Sequence, residues 1–185
     1  MENIVKRTSF FKSALADPEI GAVSASSGYV ISDVLRRLAK NPHLIVEYGP
    51  GDGVITRAML RVLPPDARLV VVEPNAEFLS VLGEINDSRL TVIAGKAQDL
   101  SPEQLREFKN ADAVVASIPF SFLTQEERSK VISDTYELLA PNGKLIVPHQ
   151  YSWLMRKPLQ QKFGFVSLSF KMRNFPPCFI MEARK

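Results

Sequence analysis

The chain has 185 residues, of which 45% are hydrophobic and 23% are charged, and its net charge is +3. These values exclude disordered, collagen-like and coiled-coil chains and are typical of one compact domain. No apolar run approaches the ~20 residues of a membrane span, the amino terminus lacks a secretory apolar core, and the single cysteine excludes an internal disulfide. We therefore expect a cytoplasmic protein with a single domain over residues 1–185.

The first 40 residues predict two helices, Ile4–Leu15 and Gly28–Ala39, joined by the small-residue stretch Gly21–Ser27. In residues 41–150, short apolar runs alternate with helical patterns. The predicted strands are His43–Tyr48, Arg68–Glu73, Leu90–Ala94, Ala111–Ser117 and Lys144–Pro148. The predicted helices are Val54–Leu63, Asn75–Ile85, Pro102–Lys109 and Thr124–Leu139. We expect helix starts capped by Asn75, Ser101 and Thr124, and a helix end at Pro141-Asn142-Gly143.

Two extended stretches close the chain, Phe163–Lys171 and Cys178–Ala183, with a proline-containing turn at 174–177 between them. They predict an antiparallel pair at a sheet edge. Nearly continuous apolar strands are typical of parallel strands covered on both faces. The fold class is therefore α/β, with a doubly wound, Rossmann-like sheet of seven strands, mostly parallel with an antiparallel carboxyl-terminal pair. Residues 1–40 form the leading helices, 41–150 the core and 151–185 the closing strands.

A glycine-rich turn follows the first predicted strand and opens the first core helix. It reads Glu47-Tyr48-Gly49-Pro50-Gly51-Asp52-Gly53, and Glu73 ends the next strand 20 residues later. Glycines let the backbone bend tightly and approach a ligand, and an acid at this spacing accepts hydrogen bonds from ribose hydroxyls. The combination predicts a site for a nucleoside-type cofactor.

The G-x-G-x-G spacing differs from the G-x-G-x-x-G of dinucleotide binders, whose helix cradles a pyrophosphate. Glu47 would repel a pyrophosphate, whereas it suits a cationic amino group. S-adenosylmethionine offers such a group together with a sulfonium and a ribose. The electrostatics therefore favour this cofactor over NAD.

Residues 43–150 resemble the class I S-adenosylmethionine-dependent methyltransferases. The resemblance implies a set of cofactor-binding residues at the ends of the strands: Glu47, Tyr48, Gly49, Gly51, Gly53, Glu73, Pro74, Ala97, Gln98 and Ser117. In this set Glu47 would hold the methionine part and Glu73 the ribose. Lys96 stands where relatives often have Asp, so adenine would contact the Ala97 backbone or the side chain of Gln98 or Asp99.

The turn after the fourth strand reads Ser117-Ile118-Pro119-Phe120, and we expect these four residues to be catalytic. In enzymes that methylate amino nitrogens this turn often reads Asn/Asp/Ser-x-Pro-Tyr/Phe. In-line transfer needs a nitrogen lone pair aimed at the methyl group about 3–3.5 Å away. The turn would supply oxygen acceptors for N–H groups, and the ring a face for the amine. The alternative is a helix-entry turn with a buried phenylalanine.

Residues 10–27, the SIPF turn and residues 174–185 resemble the small bacterial phospholipid N-methyltransferases. Those enzymes methylate phosphatidylethanolamine, and close relatives act on ornithine lipids. The resemblance implies a lipid amine as substrate at an anionic membrane surface, and it places Ser26 and Ser27 near the methionine end of the cofactor. Ala25 departs from the family pattern, which has Pro. We expect a monomer without a metal ion, associated peripherally with the inner face of the membrane.

The ends of the chain are more basic than its middle. Residues 151–185 carry a net charge of +6 and residues 41–150 a net charge of −5. The helix over Ile4–Leu15 pairs an apolar face with flanking Lys6, Arg7 and Lys12, so it either lies at an anionic lipid surface or packs over the cofactor pocket. A basic tail also suits a nucleic acid, or a solubilised strand edge.

Four further residues are candidates at the substrate side. His149 follows the fifth predicted strand, at its carboxyl end, and would take the proton that an ammonium loses before attack. Tyr151 and Arg173 would bind a lipid phosphate, and Tyr29 is a further substrate-binding candidate. A purely structural role is the alternative for His149, Tyr151 and Arg173.

Two other functions stay open. The core is also similar to the ribosomal RNA adenine dimethylases, but those enzymes continue into a helical RNA-binding domain, whereas this sequence stops at Lys185. Nucleic acid is therefore the less favoured partner. Lys96, and the lack of a carboxylate in the SIPF turn, leave open a catalytically silent protein that only binds the cofactor.

Overall fold

A seven-stranded sheet forms the centre of the computed structural model, which describes residues 28–150, 154–171 and 178–185. The strands are β1 (Leu44–Tyr48), β2 (Arg68–Glu73), β3 (Leu90–Ala94), β4 (Ala111–Ala116), β5 (Leu139–Gln150), β6 (Val166–Lys171) and β7 (Cys178–Arg184). The helices are α1 (Gly28–Arg37), α2 (Val54–Leu60), α3 (Ala76–Gly83), α4 (Pro102–Glu107), α5 (Gln125–Leu138) and α6 (Arg156–Phe163). The predicted helix Ile4–Leu15, the stretch Gly21–Ser27 and the turn at 174–177 lie outside the described residues.

The strand order is β3-β2-β1-β4-β5-β7-β6. Strands β1 to β5 are parallel, and β7 runs antiparallel to both of its neighbours, β5 and β6. The predicted α/β fold with an antiparallel carboxyl-terminal pair is thus confirmed. The chain places β2 and β3 on one side of β1, and β4 and β5 on the other. The direction in which successive strands are added therefore reverses at β1. Ligands of open α/β sheets bind at this switch point, beyond the carboxyl ends of the strands, an edge called here the carboxyl edge.

Apolar side chains cover both faces of the sheet because successive strand residues point to opposite sides. One cluster joins the strands to α5 and α6 and includes Val46, Val114 and Leu159. The other joins them to α1, α2 and α3 and includes Ile45, Val34 and Met59. In the described residues, no helix is long and apolar enough to cross a membrane.

The expected helix caps are present. Asn75 Oδ1 accepts hydrogen bonds from the backbone N–H groups of Glu77 and Phe78 at the start of α3. Ser101 with Gln104, and Thr124 with Glu127, form reciprocal capping boxes at the starts of α4 and α5. Each cap satisfies backbone donors that a helix end leaves unpaired.

Two boundaries in the last third of the chain differ from the sequence prediction. Strand β5 begins at Leu139, directly after α5, so Pro141-Asn142-Gly143 forms an irregularity inside the strand and does not end the helix. Helix α6 was not predicted. Because Phe163 ends this helix and Gly164 turns the chain with a φ of 81°, β6 starts only at Val166.

Candidate functional site

The glycine turn between β1 and α2 adopts the left-handed backbone conformation at three positions. Gly49, Gly51 and Gly53 have φ angles of 66°, 57° and 75°. A Cβ atom on Gly49 would lie 2.8 Å from Cγ2 of Ile118, in the turn after β4. Glycine is therefore required for the backbone angle and for the close approach of the two turns at the carboxyl edge.

Glu47 is fully buried in β1, one residue before its end. Thr56 Oγ1, in α2, donates a 2.6 Å hydrogen bond to Glu47 Oε2, while Oε1 has no hydrogen-bond partner among the described residues. Burial raises the pKa of this carboxyl to about 8; the Thr56 hydrogen bond opposes the rise, and the neighbouring Glu73 and Asp52 carboxylates add to it. An unpaired buried carboxylate oxygen is the chemistry that a cationic ligand group satisfies.

Glu73 ties the end of β2 to the glycine turn. Its Oε2 accepts the Gly51 N–H at 3.1 Å and its Oε1 accepts the Asn75 N–H at 2.9 Å. Burial raises the pKa of Glu73, and the two backbone hydrogen bonds oppose that rise. Each carboxylate oxygen keeps a second lone pair, so the group can still accept hydroxyl donors. Pro74, next in the chain, is exposed.

The acceptor turn lies against the end of β1, since the Ser117 N–H donates to the Tyr48 carbonyl at 2.9 Å. The Ser117 Oγ atom is buried and has no hydrogen-bond partner in the described part of the chain. Ile118 and Pro119 are half-buried. Phe120 is 1% exposed, begins a short 3-10 helix and packs in the core cluster that includes α5, which matches the alternative of a helix-entry turn with a buried phenylalanine.

The turn after β3 was predicted to face adenine. Its Gly95 N–H donates to the Glu73 carbonyl at 3.0 Å, which keeps the turn beside the end of β2. Ala97 and Gln98 are buried in a short 3-10 helix, and Gln98 Nε2 lies 3.4 Å from Glu127 Oε1. Lys96 is exposed. The Gln98 side chain thus links this turn to α5.

The other predicted site residues lie in several places. The Tyr48 ring is 1% exposed in the core, where burial raises its pKa to about 12, so only its backbone borders the site. Tyr29 is 54% exposed at the start of α1. His149 pairs with Phe179 at the carboxyl edge, and its side chain is not described. The remaining candidates lie outside the described residues: Ser26, Ser27, Tyr151 and Arg173.

Two residues of α2 that the sequence reasoning missed also build the site. Thr56 is fully buried and donates to Glu47, as described above. Arg57 donates to the carbonyls of Asp52 and Val81 at 2.6 and 3.4 Å, which braces the glycine turn against α3. The available signal was the burial of Glu47 itself, because an acid in an apolar strand needs a nearby donor and the first turn of the following helix faces it.

The site thus combines a buried acid, a glycine cradle and a second acid that faces the cradle. In the described residues, no group of three or more His, Cys, Asp and Glu side chains could hold a metal ion. A family model described as a methyltransferase domain matches residues 45–143. The chain belongs to this family. Its cofactor is S-adenosylmethionine, which the donor and acceptor groups at the carboxyl edge fit, as the resemblance implied.

Two relatives align with different lengths of this methyltransferase. An ornithine lipid N-methyltransferase from Singulisphaera acidiphila is 28% identical over 172 residues, covering 91% of this chain and 88% of that protein. A ribosomal RNA small subunit methyltransferase A from Novosphingobium aromaticivorans is 35% identical over 100 residues, or 50% of this chain and 35% of that protein. The methyltransferase thus spans about a third of the second relative.

The fold is shared with a solved methyltransferase structure. The 1,6-didemethyltoxoflavin-N1-methyltransferase of Burkholderia thailandensis, solved with S-adenosylhomocysteine, superposes with a TM-score of 0.70 at 14% sequence identity. The match covers all of this chain and 88% of that chain. At this identity the similarity shows the fold alone.

Proposed function

We propose that this methyltransferase transfers methyl groups to the amine of a membrane phospholipid or aminolipid. The observation that supports this substrate class most is the 91% of the chain that aligns with the ornithine lipid N-methyltransferase, against 50% for the RNA methyltransferase. The shared region therefore extends beyond the cofactor core. We also propose that the enzyme works as a peripheral protein at an anionic membrane surface facing the cytoplasm.

The cofactor would be held by the groups at the switch point of the sheet. Glu47 Oε1, which has no partner in the described residues, would accept hydrogen bonds from the amino group of the methionine part. Glu73 would accept the ribose hydroxyls, and the backbone of the Gly49 and Gly51 region would contact the ligand without Cβ atoms in the way. Ser26 and Ser27 remain proposed contacts of the methionine end.

When bound, S-adenosylmethionine supplies an electrophilic methyl group to the nitrogen lone pair. The Ser117 hydroxyl would accept a hydrogen bond from an N–H group of the substrate and so orient that lone pair, because Oγ is buried beside the glycine turn and has no partner among the residues that the structure describes. Phe120 would act from the core by fixing the turn. His149, at the carboxyl edge, is the proposed acceptor of the proton that the ammonium loses.

A methyl-transfer assay with labelled S-adenosylmethionine tests this function on extracted total lipid and total RNA. We expect label in the lipid fraction, in a lipid that carries a primary amine. Ser117→Ala should slow the transfer about tenfold, the equivalent of one lost hydrogen bond. Label found only in RNA would overturn the lipid proposal and favour the RNA methyltransferase alternative.

A further inference from the structure

The carboxyl edge continues past the proposed acceptor turn onto the antiparallel strands. Because β7 runs against β5, its first residue Cys178 pairs with Gln150 at the end of β5. Cys178 also pairs with Lys171, the last residue of β6. The end of β6 therefore lies on the same edge as Ser117, three strands away from β4 in the sheet order.

Aromatic side chains are exposed along this part of the carboxyl edge, after β4 and near the end of β6. Phe122, which follows β4, is 56% exposed, and Phe170, near the end of β6, is 51% exposed. The Phe170 ring lies against Phe179, with ring centroids 4.8 Å apart. Leaving the Phe122 and Phe170 rings exposed to water costs free energy. Exposed rings at such positions are typical of surfaces that contact a partner or a membrane.

Helix α6 adds exposed cations to the same edge. Its last residue, Phe163, packs edge-on against Tyr136 near the end of α5, with centroids 5.1 Å apart, and α5 leads directly into the amino end of β5. The start of α6 consequently points toward the carboxyl edge, where Arg156 and Lys157 are exposed. The helix dipole disfavours cations in a first turn, and this turn contains no acid.

Helix stability therefore does not explain Arg156 and Lys157, whereas an anionic partner does. Residues 151–185 as a whole have a net charge of +6. We propose that Phe122, Arg156, Lys157 and Phe170 form a docking surface for an anionic lipid bilayer, which brings lipid headgroups to the Ser117 turn. This inference rests on the proposed lipid substrate, and it assigns the membrane contact to the closing strands and α6, separately from the leading helix.

The test is the binding of the full chain to vesicles of phosphatidylcholine with and without phosphatidylglycerol. The wild type should bind only the vesicles that contain phosphatidylglycerol, and less tightly as salt rises. Arg156→Glu with Lys157→Glu should weaken binding at least about thirtyfold, since each basic residue near such a surface contributes about fivefold. The matched control, Arg61→Glu with Lys109→Glu, makes the same charge change at exposed positions on the opposite edge and should bind much more tightly than that variant.

A second pair of variants, near the two ends of β6, tests the contribution of exposed aromatic rings to vesicle binding. Phe170→Ser should weaken vesicle binding, whereas Phe165→Ser, 79% exposed just before the other end of β6, should not. All these side chains are exposed, and thermal unfolding checks that each variant folds. If the reversed pair unfolds, Arg156→Gln with Lys157→Gln replaces it.

Equal vesicle binding by the docking-surface and control variants would overturn the inference, as would wild-type binding that ignores phosphatidylglycerol. Methylation of the same lipid in detergent micelles separates this result from the proposed function. If the enzyme methylates the lipid in micelles and all variants bind vesicles equally, only the docking surface is refuted. Vesicle binding through the docking surface with label only in RNA refutes the proposed function and leaves the surface standing.

Discussion

Glu47 illustrates at the level of one side chain how a buried acid costs stability. In the protein without ligand its carboxyl is fully buried and its pKa lies at about 8, against an ordinary value of 4.5. Between these two pH values the folded chain holds a proton that the unfolded chain has lost. Folding stability from this group is therefore complete below pH 4.5 and is lost progressively as the pH rises toward 8.

Replacing Glu47 by Gln removes the titration and keeps the shape of the side chain. We predict that the melting temperature of Glu47→Gln, relative to the wild type, increases steadily from pH 5 to about pH 8, because only the wild type loses the stability contributed by the protonated Glu47 carboxyl. Thermal unfolding of both ligand-free proteins at several pH values measures the difference. A difference that stays constant across the range would show that the carboxyl is not held neutral by burial.

The positions of individual candidate residues were predictable where they depend on spacing along the chain, whereas their roles stay predictions. The glycine turn and Glu73 follow from the 20-residue interval between them and from strand–helix context. Thr56 was not predictable in this way, because its bond to Glu47 depends on how α2 packs onto the sheet. For the same reason the sequence left the Phe120 ring with two alternatives, and the structure places it in the core.

The close approach of two turns is a property of the elements that carry them. Alanine at Gly49 would place a Cβ 2.8 Å from Ile118 and would also have to adopt a positive φ. We predict that Gly49→Ala lowers the free energy of unfolding by more than about 1 kcal/mol and weakens cofactor binding. Chemical denaturation and calorimetry measure the two effects.

Gly28→Ala serves as the matched control for Gly49→Ala. No atom lies within 4 Å of a Cβ at Gly28, which is in α1. Alanine is the better helix former, so this variant should be as stable as the wild type or more so. Equal losses of stability in the two variants would contradict the steric argument.

Helix α1 is held to the sheet by a partly buried charge cluster. Arg37 contacts Asp33 at 3.0 Å, Glu182 of β7 at 2.9 Å and the Ser169 hydroxyl of β6 at 2.8 Å. Lys144 Nζ donates to the Arg37 carbonyl at 2.7 Å, which satisfies a backbone acceptor at the helix end. The cluster connects the helix that carries Tyr29 to the antiparallel strands.

Neighbouring arginines on α1 provide an internal comparison. The Arg37 side chain is 15% exposed and Arg36 is 68% exposed, although both contact Asp33. Arg37→Ala should destabilise the protein by about 2 kcal/mol, because it removes a cation shared by the buried Asp33 and the half-buried Glu182. Arg36→Ala should cost less than about 1 kcal/mol. Urea unfolding of the two variants measures this difference. Similar losses of unfolding free energy would mean that the cluster does not hold the helix.

The elements themselves were largely predictable because the core strands are short, apolar and separated by capped helices. The match is closest at β2 and β3, whose predicted and observed limits coincide. Helix α6 was missed because its sequence, RKPLQQKF, is mostly polar and carries a proline at its third position. Its burial depends on Leu159 and the preceding Met155, both fully buried, which only the folded sheet reveals.

At the scale of the whole molecule, the parallel strands bring their carboxyl ends together into one edge. Glu47 lies in β1, Glu73 ends β2 and Ser117 follows β4. They meet at this edge because β1 lies between β2 and β4. In the proposed function, the acidic middle of the chain would form the cofactor site, while the basic closing segment would extend the same edge toward an anionic surface. The central claim is that this edge binds S-adenosylmethionine through Glu47.

A calorimetric titration of S-adenosylmethionine into the wild type and Glu47→Gln, at pH values from 6 to 8, tests that claim most directly. The cationic amino group should ionise Glu47, so wild-type binding should release a proton and tighten by up to about tenfold per pH unit. Glu47→Gln should bind at least about tenfold more weakly at pH 8, without this pH dependence. Wild-type protein that binds no cofactor, or equal affinities of the two proteins at every pH, would contradict the account.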